Sequence, residues 1–577
     1  MNELLKRLKA YPKVTWELAG ASVFANILAL ASPLFVIQVL NRYVAHGVDA
    51  TLWTLTIGVI IAIAFEAAFR HLRLKIAHAL ALPFDRANAD LVFGTLTTAR
   101  AEVLAQVPAG QKREAANAPD AVAQAYGASN MTAYLDAPFA VFFLLALALL
   151  SLPLAIVALV FVLGVIGLGV VHQRAQLAPA NEMQAAAARR QALLDSALVE
   201  SDTVRAFTTA GQLRTRWTKA MDTLEGIARR ITLAQGRSQT TTQAIQALMS
   251  TAIIAVGGML VVAGHLDVGL LIGANILAAR ALGPVVRITQ LAGPLAKART
   301  ALALMDQIKQ LPRERKEGSA LGQYKGGIEF KDLGFAHPGQ PTPLFESLSL
   351  RLEPGSLFVV SGANGAGKTT LAKLLVGLLS PSRGQILVDG VDVMQIAPEW
   401  WRRQLIYLPQ EPGFMNATVR ENLMAFNPAL DDAGLNAVIR DAGLEQFFAT
   451  SQHGLDMELV AGGRNLPVGI RRRLALARAL SSNGRLVVLD EPTEGLDSEG
   501  VQQVGRVISA LNQKGCTIIA LSHDPNIIKG APFVLDLNAK PVPRLLRIQS
   551  GDGSGQATGL KQTGPKQNVG VNMTEGA

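Results

Sequence analysis

The sequence predicts two folds in one chain: an α-helical six-span transmembrane domain with long cytoplasmic helical hairpins, followed by an α/β domain. Three observations predict it. Half of the 577 residues are apolar, and they are unevenly spread. Six apolar runs precede residue 290, most of them near the ~20 residues a helix needs to cross a hydrocarbon layer. Beyond residue 327 the composition becomes that of a soluble α/β domain, in which one segment reads strand, G-x-x-x-x-G-K-[ST], helix.

The runs cover residues 16–40, 52–69, 137–152, 154–171, 248–263 and 268–286. The first follows Lys6, Arg7, Lys9 and Lys13, which place the N-terminus in the cytoplasm. It is too long for a cleavable signal and ends in no small-residue cleavage site. Three connections are short and poor in cations. The other two, about 71–138 and 172–246, are long, polar and rich in Arg. Cations on the long connections and at the N-terminus agree on one topology, with both ends cytoplasmic. Leu193, Leu194, Ala197, Leu198, Val204 and Phe207 follow near-helical spacing, so the spans are expected to continue into the cytoplasm and fold back as hairpins. Glu66 and Arg280 lie inside apolar runs, where an ionisable group faces a water-filled cavity or polar partner, or else snorkels.

The net charge of +10 raises nucleic-acid binding. No basic stripe interleaved with aromatics supports it, and the cations lie between and at the ends of apolar runs. The lone Cys516 excludes an intramolecular disulfide or thiolate cluster and reads as a buried strand residue. Residues 1–310 thus form the membrane domain, 311–327 (LPRERKEGSALGQYKGG) a linker, 328–549 the α/β domain, and 550–577 a glycine-rich tail expected to be disordered.

In the α/β domain LFVVS reads as a buried parallel strand entering Gly362, Ala363, Asn364, Gly365, Ala366, Gly367, Lys368, Thr369 and Thr370, then the helical pattern LAKLLVGLL. The glycines let backbone N–H groups turn toward phosphate oxygens, and the helix N-terminus adds its positive end. Lys368 can reach the β- and γ-phosphates, and the Thr369 hydroxyl can hold Mg²⁺. A second strand, RLVVLD, ends in Asp490, suited to Mg²⁺ or its water. Glu491 follows, placed to polarise a water attacking the γ-phosphate; a surface ion pair is its alternative. A third strand, CTIIALS, delivers His523 to a strand end, within reach of the same phosphate.

The set formed by this loop, Gln410 in YLPQEPGF, the loop at Leu466, RLVVLDEPTEGLD and ALSHD, in this order and spacing, resembles ATP-binding-cassette (ABC) exporters over the whole chain. The resemblance implies a six-helix membrane domain followed by an α/β P-loop ABC nucleotide-binding domain: a half-transporter that must dimerise. It implies ATP and Mg²⁺, with each ATP sandwiched between the phosphate loop of one chain and the signature loop of the other. It assigns residues 364–367 and Lys368 to the phosphates, Thr369, Gln410 and Asp490 to Mg²⁺, Glu491 to the general base and His523 to the γ-phosphate. Gln410 would also sense nucleotide where the domain meets the membrane helices, and Asp497 would belong to a loop crossing the dimer interface.

SPLFVIQVLNRYV, LDAPFAVFFLLALALLSLPLA with Asp136, Pro138 and Phe139, and GHLDVGLLIGANILAARALGPVVRITQL resemble type I secretion exporters of the protease- and adhesin-secreting kind. That implies ATP-driven export of an unfolded polypeptide from a multi-pass dimer in the bacterial inner membrane. A membrane-fusion adaptor and an outer-membrane channel would dock on it, with the ATPase domain cytoplasmic. No peptidase domain precedes the first span, so leader cleavage is not indicated. The alternatives are a lipid or drug exporter of the same architecture, or a mainly ATP-binding regulatory half of a heterodimer.

Two departures stand out. His337 occupies the place of the family's adenine-stacking Tyr and still offers a ring, so adenine contact is weakened rather than lost. The signature loop reads LPVGI where the family usually has LSGGQ. Pro467 removes a hydroxyl and an N–H, and Val468 adds β-branched bulk. Losing one hydrogen bond to a charged group costs roughly 1.5–3 kcal/mol, and the loss falls on the partner's nucleotide. Gly469 survives, and Pro is tolerated at a first helical position, so the helix is expected still to face that phosphate. Arg471, Arg472 and Arg473 add charge there or form a solvated or domain-contacting face. Homodimer and heterodimer both remain open.

Overall fold

The computed structural model describes residues 2–548, except 46, 48, 320, 321 and 341, together with 561–562. The rest of the 550–577 tail lies outside the described residues. The chain divides into two compact units, Met1–Ala99 with Ala105–Leu311, and Arg100–Leu104 with Pro312–Ala577.

Among the described residues the first unit contains 6 helical segments long and apolar enough to cross a membrane, and each overlaps one of the expected runs, those at 137–152 and 248–263 overrunning their segments by one or two residues. Helix Asp49–Thr98 has 50 residues, Leu152–Val199 has 48 and Ala210–Val262 has 53. At ~1.5 Å per residue each is about two and a half times as long as a ~30 Å hydrocarbon layer is thick. The surplus of each is the polar, Arg-rich stretch. The long helices therefore run on past the apolar layer, and the second pair is joined through Ser201–Ala206. Trp53, Ile57, Ile60 and Phe65 are exposed on the second span, an apolar face suited to lipid.

Small residues let the sixth span approach the first. A Cβ on Gly273 would stand 2.3 Å from the Ile37 Cγ1, so any side chain there would force Ile37 to move. Polar partners then fix the helices that apolar packing alone would let slide. The buried Asp136 carboxylate accepts from Arg73 Nη1 at 2.5 Å and Nη2 at 2.9 Å, and from Asn26 Nδ2 at 3.1 Å. Arg287 lies 3.7 Å from it. Glu66 accepts from Arg70 at 2.8 Å and lies 3.6 Å from Arg280, so both intramembrane ionisable groups have polar partners.

In the second unit, β1 (Ile328–Phe335), β2 (Phe345–Leu352), β4 (Arg383–Val388) and β5 (Val391–Asp392) form an antiparallel sheet in the order β2-β1-β4-β5. The larger sheet is ordered β11-β10-β9-β3-β8-β7-β6. Its members are β3 (Leu357–Ser361), β6 (Leu405–Leu408), β7 (Leu486–Asp490), β8 (Thr517–Leu521), β9 (Phe533–Asp536), β10 (Arg544–Arg547) and β11 (Lys561–Gln562). Strands β7 and β8 are buried at every residue, as near-continuous apolar runs in a covered parallel sheet must be. Cys516 is buried immediately before β8 rather than within it. Residues of the 312–327 stretch pack on this unit: Tyr324 is buried edge-on against Trp401 at 5.3 Å, and Trp401 Nε1 donates to Leu375 O at 2.9 Å.

Breaking the Arg73–Asp136 pair leaves a buried guanidinium uncompensated, at about 3–5 kcal/mol. Asp136→Ala is therefore expected to lower the thermal unfolding midpoint of the detergent-solubilised protein, while Arg73→Met with Asp136→Leu recovers part of the loss. Equal midpoints for Asp136→Ala and the parent would contradict this role.

Candidate functional site

The parallel strands β3, β8, β7 and β6 bring the chemistry to one edge. Val360 pairs with Leu521, Asp490 with Leu521 and Leu408 with Leu489, so the carboxyl ends lie level. Gly362, His523, Glu491 and Gln410 follow these ends. This is the edge at which open α/β sheets bind ligands.

The loop after β3 turns through Gly365 (φ 82°) and Gly367 (φ 110°), backbone that side-chain-bearing residues avoid. A Cβ on Gly367 would meet Leu344 Cδ2 at 2.8 Å. Helix Lys368–Leu375 begins there with no side-chain cap, which leaves its first N–H groups for an anion. His337, Ala363, Asn364, Gly365, Gly367, Lys368, Thr369, Thr370 and Gln410 line one cleft of about 250 Å³ with Leu344. Gly362 and Ala366 close the loop beneath it, where a Cβ on Gly362 would lie 2.8 Å from the Ala366 Cβ. His337 is exposed and meets Phe335 edge-on at 5.1 Å.

Glu491 is 3% exposed at the end of β7 and adopts φ 49°, a strained value for a side-chain-bearing residue. Its N–H donates to Leu521 O at 2.8 Å, which pins the turn. Three groups converge on its carboxylate: Lys368 Nζ at 3.1 Å, His523 Nδ1 at 3.0 Å and Ser522 Oγ, donating at 3.5 Å. Glu491 does pair, but in the interior rather than at the surface. Lys368 Nζ also donates to Gly362 O at 2.6 Å and Ala363 O at 3.3 Å, so its ammonium is folded back into the loop.

Asp490 is 1% exposed, and neither carboxylate oxygen has a hydrogen-bond partner. Burial pushes its pKa up to about 6, and the Glu491 charge adds to it. A buried acid with unclaimed oxygens suits a divalent, oxygen-liganded cation. Thr369 Oγ1 donates to Gln410 Oε1 at 3.0 Å, close to the separation of adjacent ligands around an octahedral ion with ~2.1 Å bonds. Among the described residues no group of three or more His, Cys, Asp or Glu could hold a metal. These three oxygens therefore fit Mg²⁺ only as a partial shell, to be completed by phosphate and water.

The sequence gives no sign of two supports from the far end of the domain. Asn538 Oδ1 accepts from Ala363 N at 2.8 Å, and Lys540 Nζ donates to Ala366 O at 2.7 Å, so the segment after β9 clasps the phosphate loop. The contacts span 175 and 174 residues, beyond the reach of any local pattern.

Gly469 lies outside the cleft, on helix Val468–Leu480. Pro467 is the N-cap of that helix (φ −55°, ψ 147°) and not its first helical residue, which corrects the sequence expectation by one position. The proline carbonyl accepts from Arg471 N at 2.9 Å, and no side chain caps the helix. Arg473 donates to Gly443 O at 3.0 Å and Asp497 Oδ1 at 2.5 Å, while Arg472 pairs with Glu494 at 3.2 Å. Those two arginines are tied to groups of their own domain rather than forming a solvated face.

The family described as "ABC transporter" matches residues 345–494, and that described as "ABC transporter transmembrane region" matches residues 17–285. The chain is 26% identical over 530 residues to the leukotoxin translocation ATP-binding protein LktB of Mannheimia haemolytica, covering 91% of this chain and 74% of that one. The same figures hold for the toxin RTX-I translocation ATP-binding protein of Actinobacillus pleuropneumoniae. A bacterial Atm1-family ABC exporter, solved with ATP bound, shares the fold with TM-score 0.78 at 20% identity, over 91% of this chain and 93% of that one.

The raised pKa of Asp490 carries a sign. The folded protein keeps this proton up to about pH 6, while the unfolded chain releases it near the ordinary value of 3.8. The stability this contributes is present at low pH and is lost as pH rises through about 6. With metal and nucleotide absent, Asp490→Asn is expected to raise the calorimetric unfolding temperature more at pH 7.5 than at pH 5. A pH-independent gain would contradict the burial argument.

Proposed function

This chain belongs to the ABC transporter family as a half-transporter with one transmembrane region and one ATPase domain, and we propose that it uses ATP to export an unfolded polypeptide across the bacterial inner membrane. The observation that carries this is the presence of six spans and a nucleotide site in one chain, with similarity to two toxin-translocation proteins running through both. On this reading the partners are a second half-transporter, a membrane-fusion adaptor and an outer-membrane channel, and the ATPase domain is cytoplasmic.

The residues divide the chemistry. The loop N–H groups and Lys368 bind the phosphates, and His337 packs against adenine. Thr369, Gln410 and Asp490 would hold Mg²⁺, which would supply charge neutralisation at the phosphates. Lys368 must leave Glu491 to meet a phosphate. That exchange frees the carboxylate to orient a water and take its proton as the water attacks the γ-phosphorus and ADP departs. His523, hydrogen-bonded to Glu491, aligns the carboxylate and contacts the γ-phosphate.

The N-cap proline favours a second statement, that the chain works best opposite a different half. Gly469 and the uncapped N-terminus of helix Val468–Leu480 would face the partner's γ-phosphate, and Pro467 offers it neither N–H nor hydroxyl.

ATP turnover by the purified chain tests both statements. Glu491→Gln is expected to cost about 100-fold or more in turnover while nucleotide binding persists. Restoring donors with Pro467→Ser and Val468→Gly should raise turnover of the chain alone about tenfold or more. An unfolded polypeptide, and not added lipid or drug, should stimulate the rate. Full turnover in Glu491→Gln would contradict the assigned base, and no gain from the restored loop would remove the case for a different partner.

A further inference from the structure

The side-chain amide of Gln410 can serve a cation only with its oxygen turned inward, because its nitrogen is a donor. Thr369 cannot enforce that orientation, since a hydroxyl both donates and accepts. The other end of the amide decides it. Gln410 Nε2 donates to Glu494 Oε2 at 3.3 Å, and an ionised carboxylate only accepts. With Nε2 committed to Glu494, Oε1 has one direction left, and it meets Thr369 Oγ1 at 3.0 Å.

Glu494 is itself fixed. It follows the turn after β7, its N–H donating to Glu491 O at 3.3 Å, and Arg472 Nη2 holds its Oε2 at 3.2 Å. Arg472 belongs to helix Val468–Leu480, four residues beyond the helix start. Gly495, at φ 68°, turns the chain beneath this guanidinium: a Cβ there would stand 3.5 Å from the Arg472 Nε. The Glu494 side chain is 43% exposed, so its pair with Arg472 contributes little stability; its effect is directional.

We propose that Glu494 is a positioning residue for nucleotide hydrolysis: its carboxylate sets the Gln410 amide with the carbonyl oxygen toward Thr369 and Asp490, and Arg472 ties that setting to the helix behind the LPVGI loop. The proposal rests on the reading of Thr369, Gln410 and Asp490 as Mg²⁺ ligands. It assigns to a residue outside the metal shell the control of one ligand's orientation. It also gives the signature helix of this chain a route to its own metal site through side chains alone.

The test measures Mn²⁺ binding to the full-length detergent-purified protein, with a non-hydrolysable ATP analogue at saturation, from the free-Mn²⁺ electron paramagnetic resonance signal. Glu494→Met removes charge and acceptor together, and is expected to weaken Mn²⁺ about tenfold, the cost of losing a group that orients a ligand. Glu494→Gln removes the charge but keeps an acceptor oxygen, and should recover most of the affinity. In a Gln410→Ala background Glu494→Met should have no further effect. Metal-free analogue affinity should be unchanged throughout. Equal losses in Glu494→Met and Glu494→Gln, or an undiminished loss in the Gln410→Ala background, would mean that only charge acts, and would overturn the positioning role while leaving the metal ligands in place. Unchanged Mn²⁺ affinity in Gln410→Ala would overturn the ligand reading and the inference with it.

Discussion

The level register of β3, β8 and β7 is the constraint on which the site depends. In β7, Leu486 and Val488 enter one hydrophobic core while Val487 and Leu489 enter a second. In β3, Phe358 and Val360 join the first of these cores, and Val359 faces a third cluster that it shares with Ala520 of β8. A slip of one residue would exchange both faces of a strand, placing every apolar side chain against the wrong neighbours. Packing therefore holds the ends of three strands level, and Gly362, Asp490, Glu491 and His523 are positioned as a by-product.

That economy leaves the polar groups poised rather than relaxed. Asp490 is buried with both oxygens unclaimed, and Glu491 is buried in a strained backbone conformation. Lys368 has three acceptors within the protein, Gly362 O, Ala363 O and Glu491. On the proposed function, a phosphate entering the loop would displace these internal partners, making binding and activation of Glu491 one exchange of ion pairs. The membrane unit uses buried charge differently. Its Asp136 is fully partnered by Arg73, Asn26 and Arg287, which fixes helices to one another among surfaces that apolar packing alone would leave free to slide.

Much of this was legible in the sequence. Six spans followed from run length alone, and the long helices from the Arg-rich polar stretches attached to them. The phosphate loop, Asp490, Glu491 and His523 were legible because each sits at a fixed offset from a short apolar strand. Long-range partners were not. Nothing near Asn538 or Lys540 marks them as supports of a loop 175 residues away, and Glu494 reads as one more acid in a turn until the fold sets it beside Gln410. The intramembrane pairs were half legible: Glu66 and Arg280 were visible as anomalies, but their partners depend on how the helices are rotated. Pro467 was misplaced by one position because a proline suits both the N-cap and the first helical turn, and only the backbone angles distinguish them.

The central claim is that ATP hydrolysed at Glu491 moves a polypeptide through the six-span unit. Inverted vesicles bearing the purified chain, with its second half if one is required, can be given a protease-sensitive unfolded polypeptide on the outside. The account predicts that ATP renders the polypeptide protease-resistant by carrying it into the lumen, and that Glu491→Gln abolishes the protection. Protection that is equal in Glu491→Gln, or ATP-dependent movement of lipid with none of polypeptide, would contradict it.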